Sequence, residues 1–461
     1  MGQHDTSHPR PLWLSRPIHS ELIRLTIPTI ISTLAVPLLG IVDTAVLGRL
    51  PDVRQLAGAT SACVILSIVF QMFFFLRMGT TALVAQRWGA DDRRGAAMVL
   101  FQSLAIAAVL GLGLIVLRRP IALIGFALVG APEDVTALGE AYFAVRIFEA
   151  PFYLMTLALT ALMRGQGDAL VPMYIVLGVN TVNIAGDLLL VPGTFGLPSY
   201  GVVGAAWASL AAQATGWAIA VLVGWKRVRA YWDWGWLRAW RRLPWHRFFT
   251  VSRHLFIRTL TLVLTLASVT SRVARLESAP ILAAHAILMQ LWSLVSHGVD
   301  GFAYATETMV GAWLGRGDRE RAHASGVAAL LWGVGVGTLF GIAYFVGVDK
   351  VATFFTTNKE VADIVISLVW AVALSQPVNA IAYVFDGVLI GATDTHFLQN
   401  AMLTSAAVFA GTLGVGWLAS GLSLQLIWWA LLLFTATRAV TLGIRFRSGH
   451  WYRLDLETEH T

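Results

Sequence analysis

Long apolar stretches recur along this chain from Leu22 to Phe446, and they limit its fold more than any other feature. A helix needs about 20 apolar residues to cross a bilayer, whereas a strand of a membrane barrel needs only about ten. In lipid, every backbone polar group must bond within the protein, so stretches of this length predict spanning helices. Twelve are predicted, at residues 22–46, 56–86, 95–117, 137–163, 170–191, 201–225, 250–275, 282–313, 322–346, 361–391, 396–418 and 423–447.

The composition excludes the soluble protein classes. Hydrophobic residues make up 57% of the chain and charged residues only 13%, far from the soluble average. The single Cys63 excludes an intrachain disulfide. The sequence contains no Walker A motif and no candidate catalytic group, so we expect a transporter driven by an ion gradient, without a cofactor, rather than an enzyme.

The distribution of Lys and Arg predicts the orientation in the membrane. Most of these residues lie in one set of loops and tails, and this excess is typical of the cytoplasmic side. Both termini are therefore predicted to be cytoplasmic, in a multi-pass protein of the plasma (inner) membrane. The net charge of +7 then reflects topology and not binding to nucleic acid.

The two halves of the chain are repeats at a constant offset of 226 residues. The segment that begins at Leu56 aligns without gaps on the one that begins at Leu282, and the offset also pairs Gly165 with Gly391. Six helices lie between the copies, so both enter the membrane in the same orientation. We expect an all-α protein with two pseudo-symmetric six-helix lobes, residues 22–225 and 250–447, around a central cavity.

The remaining segments are two tails and a linker. Residues 1–21 and 448–461 are predicted to be cytoplasmic tails. The linker 226–249 interleaves Trp with Arg, which favours a helix in the cytoplasmic headgroup layer. An ordinary basic linker is the simpler interpretation, and a specific lipid or regulatory site is the alternative.

Two predicted helices of the first lobe carry polar side chains in apolar surroundings. Asp43 lies in the first helix, and Asn180, Asn183 and Asp187 lie at spacings of three and four in the fifth. That spacing puts the three on one helix face. Both carboxylates should lie at similar depth in the outer leaflet, with Asp187 nearer the interface. Charges in hydrocarbon usually carry ions or protons, although either carboxylate could instead have a structural role.

Pro28 and Pro37 interrupt the hydrogen-bond ladder of the first helix, since proline lacks an N–H group. A hinge at these positions is one interpretation. Prolines without a functional role are also common in membrane helices, so the alternative stays open.

The second lobe carries three embedded acids, Asp300, Glu307 and Asp386. They could bind a cationic drug or relay protons, or they could form ion pairs with Arg77 or Arg146. The embedded charges noted so far are mostly acidic, which favours cationic cargo.

Three segments resemble the DinF branch of the multidrug and toxic compound extrusion (MATE) transporters. They are "IPTIISTLAVPLLGIVDTAVLGRL", "FLRMGTTALVAQRWGADD" and "VFDGVLIGATDT". The resemblance covers nearly the whole chain, and it implies a twelve-helix efflux pump that exchanges organic, usually cationic, compounds for protons or sodium ions.

The resemblance also implies roles for single residues. Asp43, Asn183 and Asp187 match positions used for cation coupling, and Pro28 matches a bending proline. Ser209 stands where the family often has a Thr near the cation cavity. The chain departs from the NorM branch at Asn379, where that branch tends to carry an acid.

The predicted function is secondary multidrug efflux by alternating access, with Asp43 as the coupling carboxylate. A proton needs only one carboxylate whose neutral form is favoured by apolar surroundings, whereas sodium needs several oxygens, here from Asp43, Asn183 and Asp187. We favour the proton. The alternatives are a flippase for a lipid-linked or other amphipathic precursor, and a passive channel. We expect a monomer among membrane lipids, with Ser209, Asp300, Glu307 and Asp386 near the substrate cavity.

Overall fold

A computed structural model describes residues 11–194, 196–238 and 243–452. The described residues form α-helices joined by short turns and contain no β-strand. The helices are α1 (Arg16–Leu47), α2 (Val53–Gln71), α3 (Phe74–Gly89), α4 (Arg93–Val116), α5 (Arg118–Val129), α6 (Glu133–Arg146), α7 (Ala150–Gly165), α8 (Leu170–Leu190), α9 (Gly201–Val228), α10 (Gly235–Arg238), α11 (Trp245–Ala274), α12 (Ala279–Gly315), α13 (Arg319–Val346), α14 (Val348–Phe355), α15 (Lys359–Gly391), α16 (Thr395–Ser420) and α17 (Leu424–Ser448).

Twelve segments of the described chain are long and apolar enough to span a membrane, and they correspond to the twelve predicted helices. The second span consists of α2 and α3, and the fourth consists of α6 and α7 joined by a 3-10 turn at Ile147–Glu149. Pro151 follows that turn in the first turn of α7, where its missing N–H leaves no helical bond unmade. The prediction of an all-α membrane protein with two pseudo-symmetric lobes around a central cavity is confirmed.

Two short helices were not predicted. The 12-residue α5 and the 8-residue α14 each follow the third span of their half of the chain. Both are too short to cross the hydrocarbon layer, so the hydropathy pattern that reveals a span does not reveal them.

The name N-lobe is used below for α1–α9 and C-lobe for α11–α17. In the N-lobe, α8 packs on α9 and α4 packs on α7, while in the C-lobe α15 packs on both α12 and α13. The first helix also contacts the other half, because α1 packs against α12 as well as α8. A shared hydrophobic cluster there contains Leu22, Phe302 and Ala328. This packing places α1 between the polar side chains of both lobes.

The closest approach between the lobes is a crossing of α3 and α12. A Cβ atom on Gly89 would lie 2.1 Å from the carbonyl oxygen of Ala312, and one on Gly315 would lie 2.1 Å from that of Gln86. These residues are pseudo-symmetry mates, since 86 and 312, like 89 and 315, differ by 226. Any side chain at either glycine would force the helices apart. The two lobes therefore meet backbone to backbone at the end of the molecule where α1 begins and α17 ends, here called the terminal side.

Side chains tie the lobes together next to this crossing. Gln86 donates a hydrogen bond from Nε2 to the carbonyl oxygen of Gly391 at 2.8 Å, and its Oε1 accepts one from Arg247 at 3.0 Å. Because Gln86 is 1% exposed, these bonds are shielded from water. The terminal side is thus closed by both packing and hydrogen bonds.

The linker differs from the predicted interfacial helix. Its two ends belong to α9, which continues to Val228, and to α11, which begins at Trp245, and between them only Gly235–Arg238 of the described residues is helical. The Trp232 and Trp236 rings lie 5.6 and 5.7 Å from the ring of Phe101 on α4, which buries Trp236 against the N-lobe. Residues 1–10, 239–242 and 453–461 of the predicted tails and linker lie outside the described residues.

Candidate functional site

The predicted polar residues of the N-lobe meet between α1 and α8. The Nδ2 group of Asn183 donates hydrogen bonds to Asp43 Oδ1 at 3.1 Å and to Asp187 Oδ2 at 2.8 Å. Asn183 and Asp187 are 2% and 1% exposed, whereas Asp43 is half-buried. One amide therefore connects two carboxylates in the interior of the lobe.

Helix geometry explains why these side chains converge. Residues 180, 183 and 187 lie on one face of α8, and that helix packs against α1. Asn180 donates from Nδ2 to the carbonyl oxygen of Ala35 on α1 at 2.7 Å, two turns below Asp43. On another side of α8, Gly186 lies against Ala208 of α9, where an added Cβ would come within 2.7 Å of the Ala208 Cβ. The packing of α8 against α1 and α9 fixes the distances between these helices and holds the carboxylates of Asp43 and Asp187 at the boundary between α1 and α8.

Asp187 is more buried than its position near the end of α8 suggested. The chain after α8 folds back, and the N–H groups of Tyr200 and Gly201 donate to the carbonyl oxygens of Leu190 and Val191. The expectation that Asp187 lies nearer water is therefore wrong, since only 1% of this residue is exposed. The distance of a residue from a helix end does not show how much of it neighbouring segments cover.

An ion pair that the sequence analysis missed lies beside these residues. Arg146 of α6 donates from Nε to Glu149 Oε2 at 3.2 Å, and Glu149 is 1% exposed. Arg146 also contacts the hydroxyl of Tyr142 and acts electrostatically on both Asp43 and Asp187. The segment "RIFEAP" at 146–151 holds this pair, and the signal that could have revealed it is two opposite charges three residues apart in an apolar span.

The resulting N-lobe cluster is Asp43, Glu149, Asp187, Asn183 and Arg146. Of its three carboxylates only that of Glu149 is paired with the Arg146 guanidinium, and Asp187 Oδ1 has no hydrogen-bond partner in the described part of the chain. A buried carboxylate oxygen without a donor is unfavourable unless a proton or a cation occupies the site. Within residues 11–194, 196–238 and 243–452, no group of three or more acidic, His or Cys side chains has a metal-binding arrangement. The cluster is thus a buried group of carboxylates with hydrogen-bonding capacity left unused at Asp187 Oδ1.

The predicted hinge residues lie within a continuous helix. Pro28 is buried and Pro37 is half-buried, and α1 runs unbroken past both. Thr33, four residues before Pro37, donates to the carbonyl oxygen of His297 on α12 at 3.0 Å. Together with the Asn180 bond to Ala35, this contact ties α1 to both lobes just before Pro37. A hinge remains a prediction.

Ser209 is buried on α9, at 3% exposure. Among the described residues no hydrogen bond joins it to Asp43, Asn183 or Asp187. A direct part in cation binding is therefore not supported by this geometry, and its place near the substrate cavity remains a prediction.

Glu307 forms an ion pair between the lobes. Arg77 of α3 donates to Glu307 Oε2 of α12 at 3.3 Å, and the two side chains are 5% and 1% exposed. The Arg77 guanidinium also lies 3.9 Å from the ring centre of Tyr304. Of the two interpretations of Glu307, the structure therefore contains the ion pair with Arg77.

Asp386 is also paired, but not with Arg77 or Arg146. Its Oδ2 accepts hydrogen bonds from Arg258 on α11 and Arg438 on α17. For Asp386, the partners expected from the sequence, Arg77 or Arg146, were therefore wrong. Arg258 and Arg438 lie in predicted spans that are otherwise mostly apolar, and the sequence analysis did not count these two arginines among the embedded charges. The three side chains, called the C-lobe triad below, are at most 6% exposed.

Asp300 lies between these two ion pairs. It is half-buried on α12, and its charge acts on Arg77, Arg258 and Asp386. Four arginines lie near the three carboxylates of this region, which are Asp300, Glu307 and Asp386. They are Arg77, Arg258, Arg438 and Arg164, whose guanidinium lies 5.5 Å from the Tyr304 ring centre. The earlier argument that the embedded charges are mostly acidic therefore holds for the group around Asp43 and fails around Asp300, where Arg77 and Arg164 come from the N-lobe and Arg258 and Arg438 from the C-lobe.

Comparisons with known proteins agree with this architecture. The MatE family profile matches residues 28–189 and 255–415, one segment in each half of the chain. DNA damage-inducible protein F of Escherichia coli is 32% identical over 463 residues, which cover 97% of this chain and 95% of that protein.

Two further proteins extend the comparison. A probable multidrug resistance protein NorM of Thermotoga maritima is 24% identical, with 94% of this chain and 93% of that protein covered. A MATE transporter crystallised in a bent conformation is 19% identical and superimposes with a TM-score of 0.83, over 95% of this chain and 96% of that one. At that identity the superposition establishes the shared fold.

Proposed function

Because this chain belongs to the MatE family, we propose that it is a secondary antiporter that exports organic compounds in exchange for protons. Its relatives are multidrug efflux transporters, and such proteins are not enzymes. It is a multi-pass protein of the inner membrane. The proposal adds the coupling ion, the residues that carry it and the charge of the cargo.

One observation carries the proposal: a single buried amide, that of Asn183, donates to both Asp43 and Asp187. Two carboxylates that share one donor repel each other, and a low dielectric strengthens this repulsion. A proton on one of them, or a cation between them, relieves it. Arg146 compensates only in part, since it is already bound to Glu149.

Asp43 suits the coupling role better than Asp187, because it is half-buried and accessible while its partner is almost fully enclosed. A carboxylate that binds both proton and cationic cargo couples them by competition. Protonation from outside removes the charge that holds the cargo, and loss of the proton towards the cytoplasm restores it. Each tenfold difference in proton affinity between the two conformations corresponds to about 1.4 kcal/mol of coupling.

The same proposal assigns a direction to the structure. With both termini in the cytoplasm, the crossing of Gly89 and Gly315 closes the cytoplasmic side. Alternating access then requires this crossing to separate, and the α1 segment around Pro28 and Pro37 is where bending would be easiest.

The deciding experiment is efflux from proteoliposomes under an imposed pH gradient, with and without sodium. We expect transport of a fluorescent organic cation to follow the pH gradient and to be unaffected by sodium. An Asp43→Asn carrier is the matched control, since it keeps the shape of the side chain and removes the exchangeable proton. Transport that follows sodium and ignores pH would contradict proton coupling.

A flippase for a lipid-linked or other amphipathic precursor is the second candidate. The observation in its favour is the set of arginines near the lobe interface, Arg77, Arg164, Arg258 and Arg438, since cationic side chains suit a pyrophosphate. Three of these arginines already contact carboxylates, which makes this candidate the weaker one. Transbilayer movement of a fluorescent polyprenyl pyrophosphate that is independent of both Asp43 and the pH gradient would favour it.

A further inference from the structure

The C-lobe triad leaves hydrogen-bonding capacity unused in a dry environment. Asp386 Oδ2 accepts from both Arg258 and Arg438, yet Asp386 Oδ1 and the Nε groups of both arginines have no partner among the described residues. A buried N–H group of arginine without an acceptor is destabilising, because it loses its hydrogen bonds to water and gains none in the protein. The triad is therefore an incomplete set of contacts that another acceptor would complete.

The triad also carries an excess positive charge. Two guanidiniums share one carboxylate, and buried charges are normally balanced. The other groups around it are His297 and Asp300 on α12, Tyr383, whose ring lies 5.4 Å from the Arg438 guanidinium, and Ser296, which hydrogen-bonds Tyr383. Asp300 is a further carboxylate whose charge interacts with Arg258 and Asp386, and it forms no hydrogen bond within the described chain.

The groups near the triad are less buried than the triad itself. Ser296, Asp300 and Tyr383 are half-buried, whereas Arg258, Asp386 and Arg438 are 6%, 4% and 2% exposed. An acidic side chain held by two arginines is a poor site for a cationic drug. The same arginines are well suited to a carboxylate, because a guanidinium presents paired donors that match its two oxygens.

We propose that Arg258 and Arg438 form a subsite for a carboxylate group of the cargo, with Asp386 as the resident counter-ion of the empty carrier. Cargo that carries both a positive and a negative group is then held by both lobes, its cation by the N-lobe cluster and its anion by the C-lobe triad. The inference rests on the proposed export function and names a cargo class within it, namely amphoteric organic compounds.

A matched pair of dyes tests this without any variant. Rhodamine 110 is a zwitterion with a free carboxylate, and rhodamine 123 is its methyl ester and a pure cation. We expect the purified carrier to bind rhodamine 110 at least about tenfold more tightly, as measured by fluorescence anisotropy, a ratio that corresponds to about 1.4 kcal/mol. Equal affinity for the two dyes would overturn the proposal.

Two substitutions are expected to move the ratio of the two affinities in opposite directions. Arg438→Gln leaves Arg258 and Asp386 as a neutral pair, so the preference for rhodamine 110 should fall about tenfold. Asp386→Asn releases both arginines, so the preference should rise. A merely structural role does not predict a rise, and a misfolded variant would not produce one.

Arg445→Gln is the matched control. Arg445 lies two turns after Arg438 on α17 and pairs with Asp394 at 2.7 Å, outside the triad. This variant should keep the wild-type ratio. A ratio that is unchanged in Arg438→Gln, or that falls equally in Arg445→Gln, would contradict the subsite.

Two further measurements separate the competing explanations. Chloride at constant ionic strength should weaken the binding of rhodamine 110 and leave that of rhodamine 123 unchanged, because an anion competes only for a carboxylate subsite; equal weakening of both dyes would contradict the subsite. Efflux of rhodamine 123 driven by a pH gradient tests the proposed function alone. Its absence would end the antiport proposal, while the binding ratio would still decide whether the triad binds a carboxylate.

Discussion

The two lobes repeat one architecture and differ in the chemistry they bury. In the N-lobe, Asp43, Asn183 and Asp187 form the polar centre, whereas the residues 226 positions later, Val269, Phe409 and Leu413, are at most 4% exposed and apolar. In the other direction, the acids at 300, 307 and 386 correspond to Phe74, Thr81 and Thr160. The repeat therefore conserves where helices pack, while each lobe places its buried charges at different positions.

The sign of the buried charge differs as well. One arginine accompanies three carboxylates in the N-lobe cluster, whereas four arginines accompany the three C-lobe carboxylates around Asp300, and two of them, Arg77 and Arg164, come from the N-lobe. Packing between apolar helices depends on their shape, whereas binding depends on charge. A duplicated fold can therefore keep its hydrophobic core while its buried sites differ in the sign of their charge. Under the proposed function, this comparison predicts which substitutions should matter in each half.

The largest effect is expected from Asp43→Asn. This side chain imitates the permanently protonated acid, so the variant should fold, enter the membrane and lose export of organic cations. Growth in ethidium and drug-induced proton release from the purified protein measure this. Transport at the wild-type rate would mean that the carboxylate is structural and that the N-lobe is not the coupling lobe.

Asp187→Asn should be nearly as damaging, at least about tenfold in transport rate. Asp187 is 1% exposed and shares the Asn183 amide with Asp43, so water cannot replace it. Transport assays in proteoliposomes of both variants at equal protein content make the comparison. A mild phenotype would indicate that Asp43 titrates independently of its partner.

The glycine crossing should be the next most sensitive feature, and here both lobes are alike. Gly315→Ala puts a Cβ atom 2.1 Å from the Gln86 carbonyl oxygen, so the closure of the terminal side should weaken and transport should fall several-fold. Gly89→Ala should have the same effect. Gly298→Ala on the same helix, where an added Cβ meets no atom within 4 Å, is the control and should transport normally. Equal activity in all three variants would show that tight closure is not required.

In the C-lobe, Glu307 and Asp300 should behave differently. Glu307→Gln leaves Arg77 buried without its counter-ion, a change that typically costs about 3–5 kcal/mol, so expression and thermal stability should fall. Asp300→Asn removes a half-buried acid without a hydrogen bond, so stability and transport of rhodamine 123 should stay close to wild type. Loss of transport in Asp300→Asn at normal stability would place cation binding in the C-lobe too.

The smallest effect is expected in the loop between α7 and α8. Partial burial of the Asp168 carboxyl raises its pKa. Hydrogen bonds from Arg227 and from the backbone N–H groups of Leu170 and Val171 outweigh this effect and hold the pKa of Asp168 below its usual range. The stabilisation is therefore present at neutral pH and is lost as the pH falls below about 4, where an unfolded Asp takes up its proton. Asp168→Asn should cost up to about 1 kcal/mol at pH 7, because it removes the ion pair with Arg227.

Thermal unfolding in detergent checks this prediction. The difference between wild type and Asp168→Asn should shrink as the solution becomes more acidic. A difference that grows with acidity would mean that Asp168 stabilises the fold in its protonated form. Asp394→Asn is the counterpart in the other lobe, since Asp394 lies 226 residues later and pairs with Arg445.

Much of the fold could be predicted because its rules act along the chain. Hydropathy located all twelve spans, and the offset of 226 residues predicted two lobes. The convergence of Asp43 with Asn183 and Asp187 also followed from helix spacing, depth and family resemblance. Glu149 and Arg146 were not recognised as partners, and α5 and α14 went unnoticed because short helices carry little hydropathy signal.

The amino-acid sequence by itself determined that this chain crosses a membrane twelve times in two related halves. The reason is that lipid forces each apolar segment to satisfy its own backbone as a helix. Only the tertiary structure decided which buried charges are partners. Arg258 and Arg438 reach Asp386 from helices 128 and 52 residues away, and Arg77 meets Glu307 across 230 residues. Such pairs depend on how each helix is rotated and packed against its neighbours, and no periodicity within a single helix contains that information.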